Sequence, residues 1–502
     1  MRYRTTSLAV AGGLLLAAAG AVLLPTTAQA AAGCQVTYTT NDWTSGPGQG
    51  GFTGNLTIKN LGDAVSSWTL GFAFPGGQQL TQGWSANWTQ SGANVTATSM
   101  SYNGSLATGA STSIGFNGSW TGSNPKPAAF TLNGVTCNGT TTSSPSPSAS
   151  TSSSPSPSTS TPPQTTAPKL KVSGNKLVTS SGATYRLIGV NRSGGEFACI
   201  QGNGIWDGPM DQASINAMRT WKVRTVRVPL NEECWLGTAD VQAAYGGANY
   251  QNAVKAYVNL LVASGITPIV EMHWNYGQYT GPSAGCSDVK ATCQKPMPDA
   301  QYAPSFWTGV ANAFKGNDAV IFDLFNEPYP ERATGSASTG WACWRDGGTC
   351  PGITYQVAGF QSLVNAVRAT GATNVIMVGG LAYSNDLTQW LQYKPTDPQN
   401  NLAAFAHIYN FNSCANTSCY DSQLAPVAQQ VPLSLTEIGE NDCAHGFVDT
   451  LMNWADAHGV GYLGWTWNAW NCSSGPSLIS DYNGTPTAFG QGIKDHFAAV
   501  SS

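Results

Sequence analysis

Residues 140–168 constrain this chain more than any other stretch, because they are almost wholly Ser, Thr and Pro, with Ser-Pro-Ser-Pro occurring twice. Such a composition buries too little apolar surface to offset the conformational entropy lost on folding. No single domain can run through all 502 residues, and the tract reads as a disordered linker between two folded parts. In polyproline-like form its 29 residues reach at most about 90 Å, so the flanking parts are expected to move independently.

The first residues read as a secretory signal: Arg2 and Arg4, an apolar stretch over 8–24, then Ala28-Gln29-Ala30 as a small-residue cleavage site. Gly and Ala dilute that stretch and Pro25 breaks it, which argues against a membrane anchor. A secreted, extracellular protein is expected. Its twelve cysteines all lie beyond the signal, an even number suited to disulfides in an oxidising compartment. No C-x-x-C pair, H-E-x-x-H, phosphate loop or acidic calcium loop occurs, so neither a metal nor a cofactor is expected.

Only 10% of the chain is charged, 22 basic residues against 26 acidic ones with a formal net charge of -4. Nucleic-acid binding needs clustered Lys and Arg, so that class is excluded as a partner, as is a membrane. Seventeen Trp and 57 Gly point instead to a neutral polysaccharide, since aromatic faces stack on sugar rings. A monomer is expected.

Before the linker, residues 33–138 contain short alternating runs such as Asn55-Leu56-Thr57-Ile58-Lys59, separated by Gly, Asn and Ser turns. That is the pattern of an all-β sandwich. Cys34 and Cys137 sit at its two ends, placed to tie the terminal strands together. The segment resembles a family 2 carbohydrate-binding module over its whole length, through Asn41-Asp42-Trp43, Gly51-Phe52-Thr53-Gly54-Asn55, Ser67-Trp68-Thr69-Leu70, Phe74-Pro75-Gly76-Gly77-Gln78-Gln79 and Tyr102-Asn103-Gly104-Ser105. The resemblance implies a flat strip of three exposed aromatics lying on cellulose, here Trp43, Trp84 and Tyr102. Trp68 reads as core, and Trp88 and Trp120 stay open between core and surface.

After the linker, short apolar runs alternate with helical periods. Candidate strands fall at 185–191, 225–230, 267–274, 319–326, 374–379, 403–409, 433–437 and 462–467, with helices at 251–263, 306–314, 357–368 and 447–457 among those between them. Eight β/α units of this length predict an α/β fold, the (β/α)8 TIM barrel. The expected division is therefore a signal peptide at 1–30, a β-sandwich module at 31–139, the linker at 140–168 and the barrel at 169–502. The barrel's ten cysteines fall in segments that follow strands. Expected pairs are Cys286 with Cys293, Cys343 with Cys350, Cys414 with Cys419, Cys199 with Cys234, and Cys443 with Cys472.

Two apolar runs end in a glutamate, Asp323-Leu324-Phe325-Asn326-Glu327-Pro328 and Leu433-Ser434-Leu435-Thr436-Glu437-Ile438. Both place it at the C-terminal rim, where parallel barrels keep their chemistry. A pair of carboxyl groups is what hydrolysis of a glycosidic bond requires. The other strand ends offer Arg227, His273, Asn326, His407 with Tyr409, and Trp465. This ordered set resembles glycoside hydrolase family 5, which includes many retaining endoglucanases.

The resemblance implies Glu327 as acid/base and Glu437 as nucleophile, with Arg227 and Tyr409 bracing Glu437. It implies Asn326 against the sugar 2-hydroxyl, His273 and His407 lining the same subsite, Trp465 as stacking floor, and Trp467 and Trp274 at neighbouring sugars. Glu440, three residues beyond Glu437, competes for the nucleophile's role, whereas Glu271 and Asp323 read as structural partners inside strands. Asn191-Arg192-Ser193-Gly194-Gly195-Glu196 departs from the commoner family pattern, which has an aromatic after the first strand. The implied activity is endo-β-1,4-glucanase, a cellulase. A β-mannanase or other β-glycanase is the enzymatic alternative, and a cellulose-binding scaffold the non-enzymatic one.

Overall fold

The structure is a computed structural model that describes residues 33–46, 48–100, 103–137, 166–472 and 475–500. The signal at 1–30, most of the linker, and Tyr102 lie outside the described residues. The chain divides into two compact units, Met1–Pro155 and Ser156–Ser502.

The first unit is the expected antiparallel sandwich. One sheet orders the strands Cys34–Gly46, Gln49–Asn60, Ser111–Thr121 and Gln79–Trp84; the other orders Asn87–Ser91, Asn94–Thr98, Thr69–Ala73, Phe130–Leu132 and Val135–Thr136. Alternation does the sorting: Phe52, Leu56 and Ile58 point inward while Lys59 and Thr57 meet solvent. Phe52, Phe72, Phe74, Phe116 and Phe130 interlock in the core. Trp68 is core as expected, its indole N–H donating to Asn103 O at 2.7 Å. Trp88 and Trp120 are partly buried against the same core.

The second unit is a closed barrel of eight parallel strands: β1 (Ile188–Asn191), β2 (Thr225–Asn231), β3 (Thr267–Trp274), β4 (Ile321–Asp323), β5 (Ile376–Val378), β6 (Leu402–Tyr409), β7 (Leu433–Gly439) and β8 (Gly461–Gly464). Barrel strands are covered on both faces, which is why each reads as a continuous apolar run. Period two still decides which side chain enters the lumen. In β3, Val270 and Met272 pack outward among the helices, while Ile269 joins an inner cluster and Glu271 and His273 lie above it.

That inner cluster of Leu170, Leu177, Leu187, Ile321, Met377, Phe405 and Leu463 fills the N-terminal end of the lumen. Leu170 and Leu177 belong to a small antiparallel sheet, Leu170–Ser173, Lys176–Thr179 and Thr184–Tyr185. Ordered packing begins before it, inside the Ser/Thr/Pro tract: Ala167 is buried and its N–H donates to Val262 O at 2.8 Å.

Several boundaries differ from expectation by a few residues, and two are instructive. The assigned fourth strand ends at Asp323: the Leu324 N–H still donates to Met377 O at 3.1 Å, but Leu324 and Phe325 continue the apolar run by packing into the outer core. Val357–Ala358 pairs with Gly347–Gly348, so the helix expected from 357 begins at Phe360. The six disulfides are those expected, Cys34–Cys137, Cys199–Cys234, Cys286–Cys293, Cys343–Cys350, Cys414–Cys419 and Cys443–Cys472.

Candidate active site

Arg227, pointing inward from β2 and fully buried, organises the C-terminal end of the lumen. Its Nε donates to Asp323 Oδ2 at 2.8 Å, Nη1 to Glu437 Oε1 at 2.7 Å and Asn191 Oδ1 at 3.1 Å, and Nη2 to Asn326 Oδ1 at 2.9 Å. Glu271 Oε1 lies 3.6 Å from Nη1. Burial works against the guanidinium's charge, but Glu271, Asp323 and Glu437 hold it well above its ordinary pKa. Glu271 and Asp323 are thus the buried structural partners of Arg227 expected inside their strands.

Glu437 is held on both oxygens, by Arg227 and by the Tyr409 hydroxyl, which donates to Oε2 at 2.6 Å. A register shift between β6 and β7 sets this up: Ala406 pairs with Leu435 and His407 with Glu437. The extra residue, Thr436, meets His407 Nε2 with its hydroxyl at 3.0 Å, and the bulge re-aims Glu437 into the cavity. Glu440, the rival carboxylate, is buried elsewhere and accepts from the N–H of Val448 at 2.8 Å, capping helix Gly446–His458.

Glu327 reaches the same space from beyond β4. His407 Nδ1 lies 2.9 Å from its Oε1 and 3.6 Å from Glu437 Oε2. One donor atom each of Glu327, His407 and Glu437 lie within 4.8 Å of one another. Such a spacing also suits a cation, but Arg227 and Tyr409 already take both oxygens of Glu437. Glu327's side chain keeps 24% of its surface accessible against 5% for Glu437, so it is the member of the pair that opens onto the cleft.

Burial raises the pKa of both carboxyls. Glu327 is pushed well up, further raised by the Glu437 charge and only partly offset by Arg227. For Glu437, Arg227, His273 and the Tyr409 hydrogen bond all oppose the rise. A proton shared by the pair therefore resides on Glu327. Burial with Arg227 and His273 nearby keeps His407 neutral. Burial lowers His273 to about 4, and raises Glu271 to about 8 against the pull of Arg227.

His273 Nδ1 bonds Glu271 Oε1 at 2.5 Å, and its ring stacks on half-buried Trp465 at 5.5 Å and 16°. Asn326 offers its amide to Gln294 Oε1 at 2.7 Å and faces His273 Nε2 at 3.3 Å. Trp274 is half-buried at the rim, next to Phe197, which also approaches exposed Trp470. Phe197, immediately after the segment 191–196 that departs from the family pattern, places an aromatic ring beside Trp274 and Trp470. Trp467 corrects an expectation: it is fully buried with its ring edge-on to Trp221 at 4.8 Å, so it presents no face to a sugar. Gln294 joins the site without having been singled out, because it stands in no motif, and Asn191, quoted only as the start of the departing segment, joins it as a partner of Arg227.

On the sandwich, Trp84 is 39% exposed and pairs across strands with Gly115. A Cβ on Gly115 would meet the indole at 2.3 Å, so the missing side chain is what lets the ring lie flat on the sheet. Trp43 lies in strand Cys34–Gly46, with its side chain outside the described residues, as is Tyr102.

The family model for cellulase, glycosyl hydrolase family 5, matches residues 179–471, and that for the cellulose binding domain matches residues 34–137. Endoglucanase CelA of Streptomyces lividans is 30% identical over 461 residues, which cover 88% of this chain and 85% of that protein. Endoglucanase B of Cellulomonas fimi is 56% identical over 104 residues, covering 21% of this chain and 10% of that protein. The native β-glucanase SdGluc5_26A from Saccharophagus degradans shares the fold at a TM-score of 0.51 with 18% identity, covering 69% of this chain and 98% of that one.

Proposed function

This chain belongs to the cellulases of glycosyl hydrolase family 5, and from that premise we propose that it is a secreted endo-β-1,4-glucanase cleaving internal bonds of cellulose with retention of configuration. One observation carries the retaining mechanism: Glu327 and Glu437 bring carboxyl oxygens within 4.8 Å of each other. Retaining enzymes hold their carboxyls at about 5 Å, whereas inverting ones leave roughly 6.5–9.5 Å for a water.

In the first displacement, ionised Glu437 attacks the anomeric carbon. The C–O bond to the leaving sugar breaks, and its electron pair takes the proton from Glu327. Arg227 and Tyr409 keep Glu437 oriented and ionised until attack. Neutral His407 bridges the two acids without competing for charge. In the second displacement Glu327, now ionised, removes a proton from water, which expels Glu437 and returns a β-configured product. Asn326 would bond the 2-hydroxyl, and Trp465 would carry the ring at the cleavage point.

The sandwich module would hold cellulose through the flat face of Trp84, with Trp43 and Tyr102, while the barrel cuts nearby chains. Tethering raises local substrate concentration without altering the chemistry. Secretion fits the six disulfides. Glu327→Gln and Glu437→Gln should each reduce release of reducing sugar from carboxymethylcellulose by about 10⁴-fold or more, while binding to insoluble cellulose stays at the native level. Full turnover by either variant would defeat the reading.

A further inference from the structure

Glu327 is not carried on a strand. β4 stops at Asp323, and the acid sits four residues later in the irregular segment Asn326-Glu327-Pro328. Yet the carbonyl of each residue there has a donor. Ser384 Oγ donates to Asn326 O at 3.0 Å, Gln294 Nε2 to Glu327 O, and Tyr383 N–H to Pro328 O at 3.0 Å. These donors come from two different loops, those following β3 and β5.

The loop after β5 reaches this position only by bending hard. Ala382, Tyr383 and Ser384 are consecutive non-glycine residues with φ of 52°, 62° and 59°, a left-handed turn that L side chains rarely adopt. It is closed at its base by reciprocal bonds between Leu381 and Asp386, each at 3.0 Å. Asn385 Nδ2 ties it to His407 O at 3.0 Å, and Tyr383 stacks on Tyr329 at 4.7 Å. Such conformations persist where the surroundings over-determine them, and they concentrate at working sites.

The opposite donor is equally fixed. Gln294 follows Cys293, which is bonded to Cys286, and precedes buried Lys295, whose N–H donates to Asn275 Oδ1 at 3.0 Å and whose Nζ donates to Asp288 O at 2.8 Å. Gln294 uses both ends of its amide, one on the Glu327 carbonyl and one on the Asn326 side chain.

We propose that Gln294 and the left-handed turn Ala382-Tyr383-Ser384 form a two-sided clamp that positions Glu327 for proton donation to the leaving sugar. These are positioning residues, acting through Asn326 and Glu327. The clamp rests on the glycosidase reading above. A general acid must lie on the lone pair of the departing oxygen, and misplacement by about 1 Å costs on the order of 10²-fold in rate. Backbone bonding to the adjacent strands ends at Asn326, whose N–H donates to Met272 O at 3.0 Å, so Glu327 and Pro328 depend on these loops for support.

The test uses the full-length protein as native, Gln294→Ala and Ser384→Ala forms, with aryl β-cellobiosides whose leaving groups run from phenol to dinitrophenol. Phenol needs the acid's proton and dinitrophenol does not. The clamp predicts that each variant's loss in kcat/KM is about tenfold or more larger on the phenyl substrate than on the dinitrophenyl one, any loss common to both reporting on Asn326. It also predicts a shift of the alkaline limb of the pH profile. A purely structural role would lower the active fraction equally for every leaving group. Equal losses, or none, overturn the clamp while native turnover leaves the glycosidase reading standing. Native protein that cleaves no β-glycoside overturns both. If Gln294→Ala does not fold, Ser384→Ala alone decides by the same criterion.

Discussion

The sandwich face around Trp84 and the barrel cavity around Arg227 solve opposite problems with opposite physics. Trp84 lies exposed over Gly115, needs no charge, and would gain its affinity by covering apolar surface. Arg227 collects four carboxylate or amide side chains where water is excluded, and that exclusion moves the proton equilibria of Glu327, Glu437, Glu271 and Asp323. A surface that only holds a polymer can stay electrostatically plain. A site that must donate and withdraw protons accepts buried charge, and the fold supports it with the apolar plug beneath.

The contrast is broken most severely through the cavity's stability. Glu271 titrates at about 8 in the folded protein and near the ordinary carboxyl value when unfolded, so the folded state binds the extra proton. Its stabilisation is fully present below about pH 4 and disappears as pH rises toward 8, a loss on the order of 5 kcal/mol. Glu271→Gln should flatten this slope in denaturant unfolding measured across that range. A native protein with no such slope, or a variant with an unchanged one, would remove the claim that the cavity stores protons.

A smaller effect tests the other side. Trp84→Ala should weaken adsorption to insoluble cellulose by about tenfold, or about 1.4 kcal/mol, with turnover of soluble substrate unchanged. If soluble turnover falls as well, the two regions are not the separate devices described above.

Much of this was legible from the chain because it follows from periodicity. The eight strands announce themselves as runs buried on both faces, and Glu437 stands inside one of them at its C-terminal end. Glu327 was legible for a partly different reason. Its apolar run continues through Leu324 and Phe325 beyond the last paired residue, Asp323, so the strand is shorter than expected while Glu327 still reaches Glu437 and His407. Local cysteine spacing, five or seven residues in three pairs, made the disulfides readable.

Side-chain direction beyond a strand's end was not legible, and Trp467 shows why. Past Gly464 no period fixes which way a residue points, and the neighbouring Trp465 faces the site while Trp467 turns into Trp221. Gln294, the Arg227 contact of Asn191 and the turn at Tyr383 escaped for a related reason. Their contacts join segments far apart in the chain and carry no repeating signal.

The central claim, that Glu437 attacks carbon while Glu327 moves the proton, is tested most directly by adding azide to Glu437→Ala with an activated β-cellobioside. The account predicts recovered turnover and an α-glycosyl azide, because azide enters the space the carboxylate vacates. A β-glycosyl azide from the same variant would make Glu437 the acid/base and contradict it.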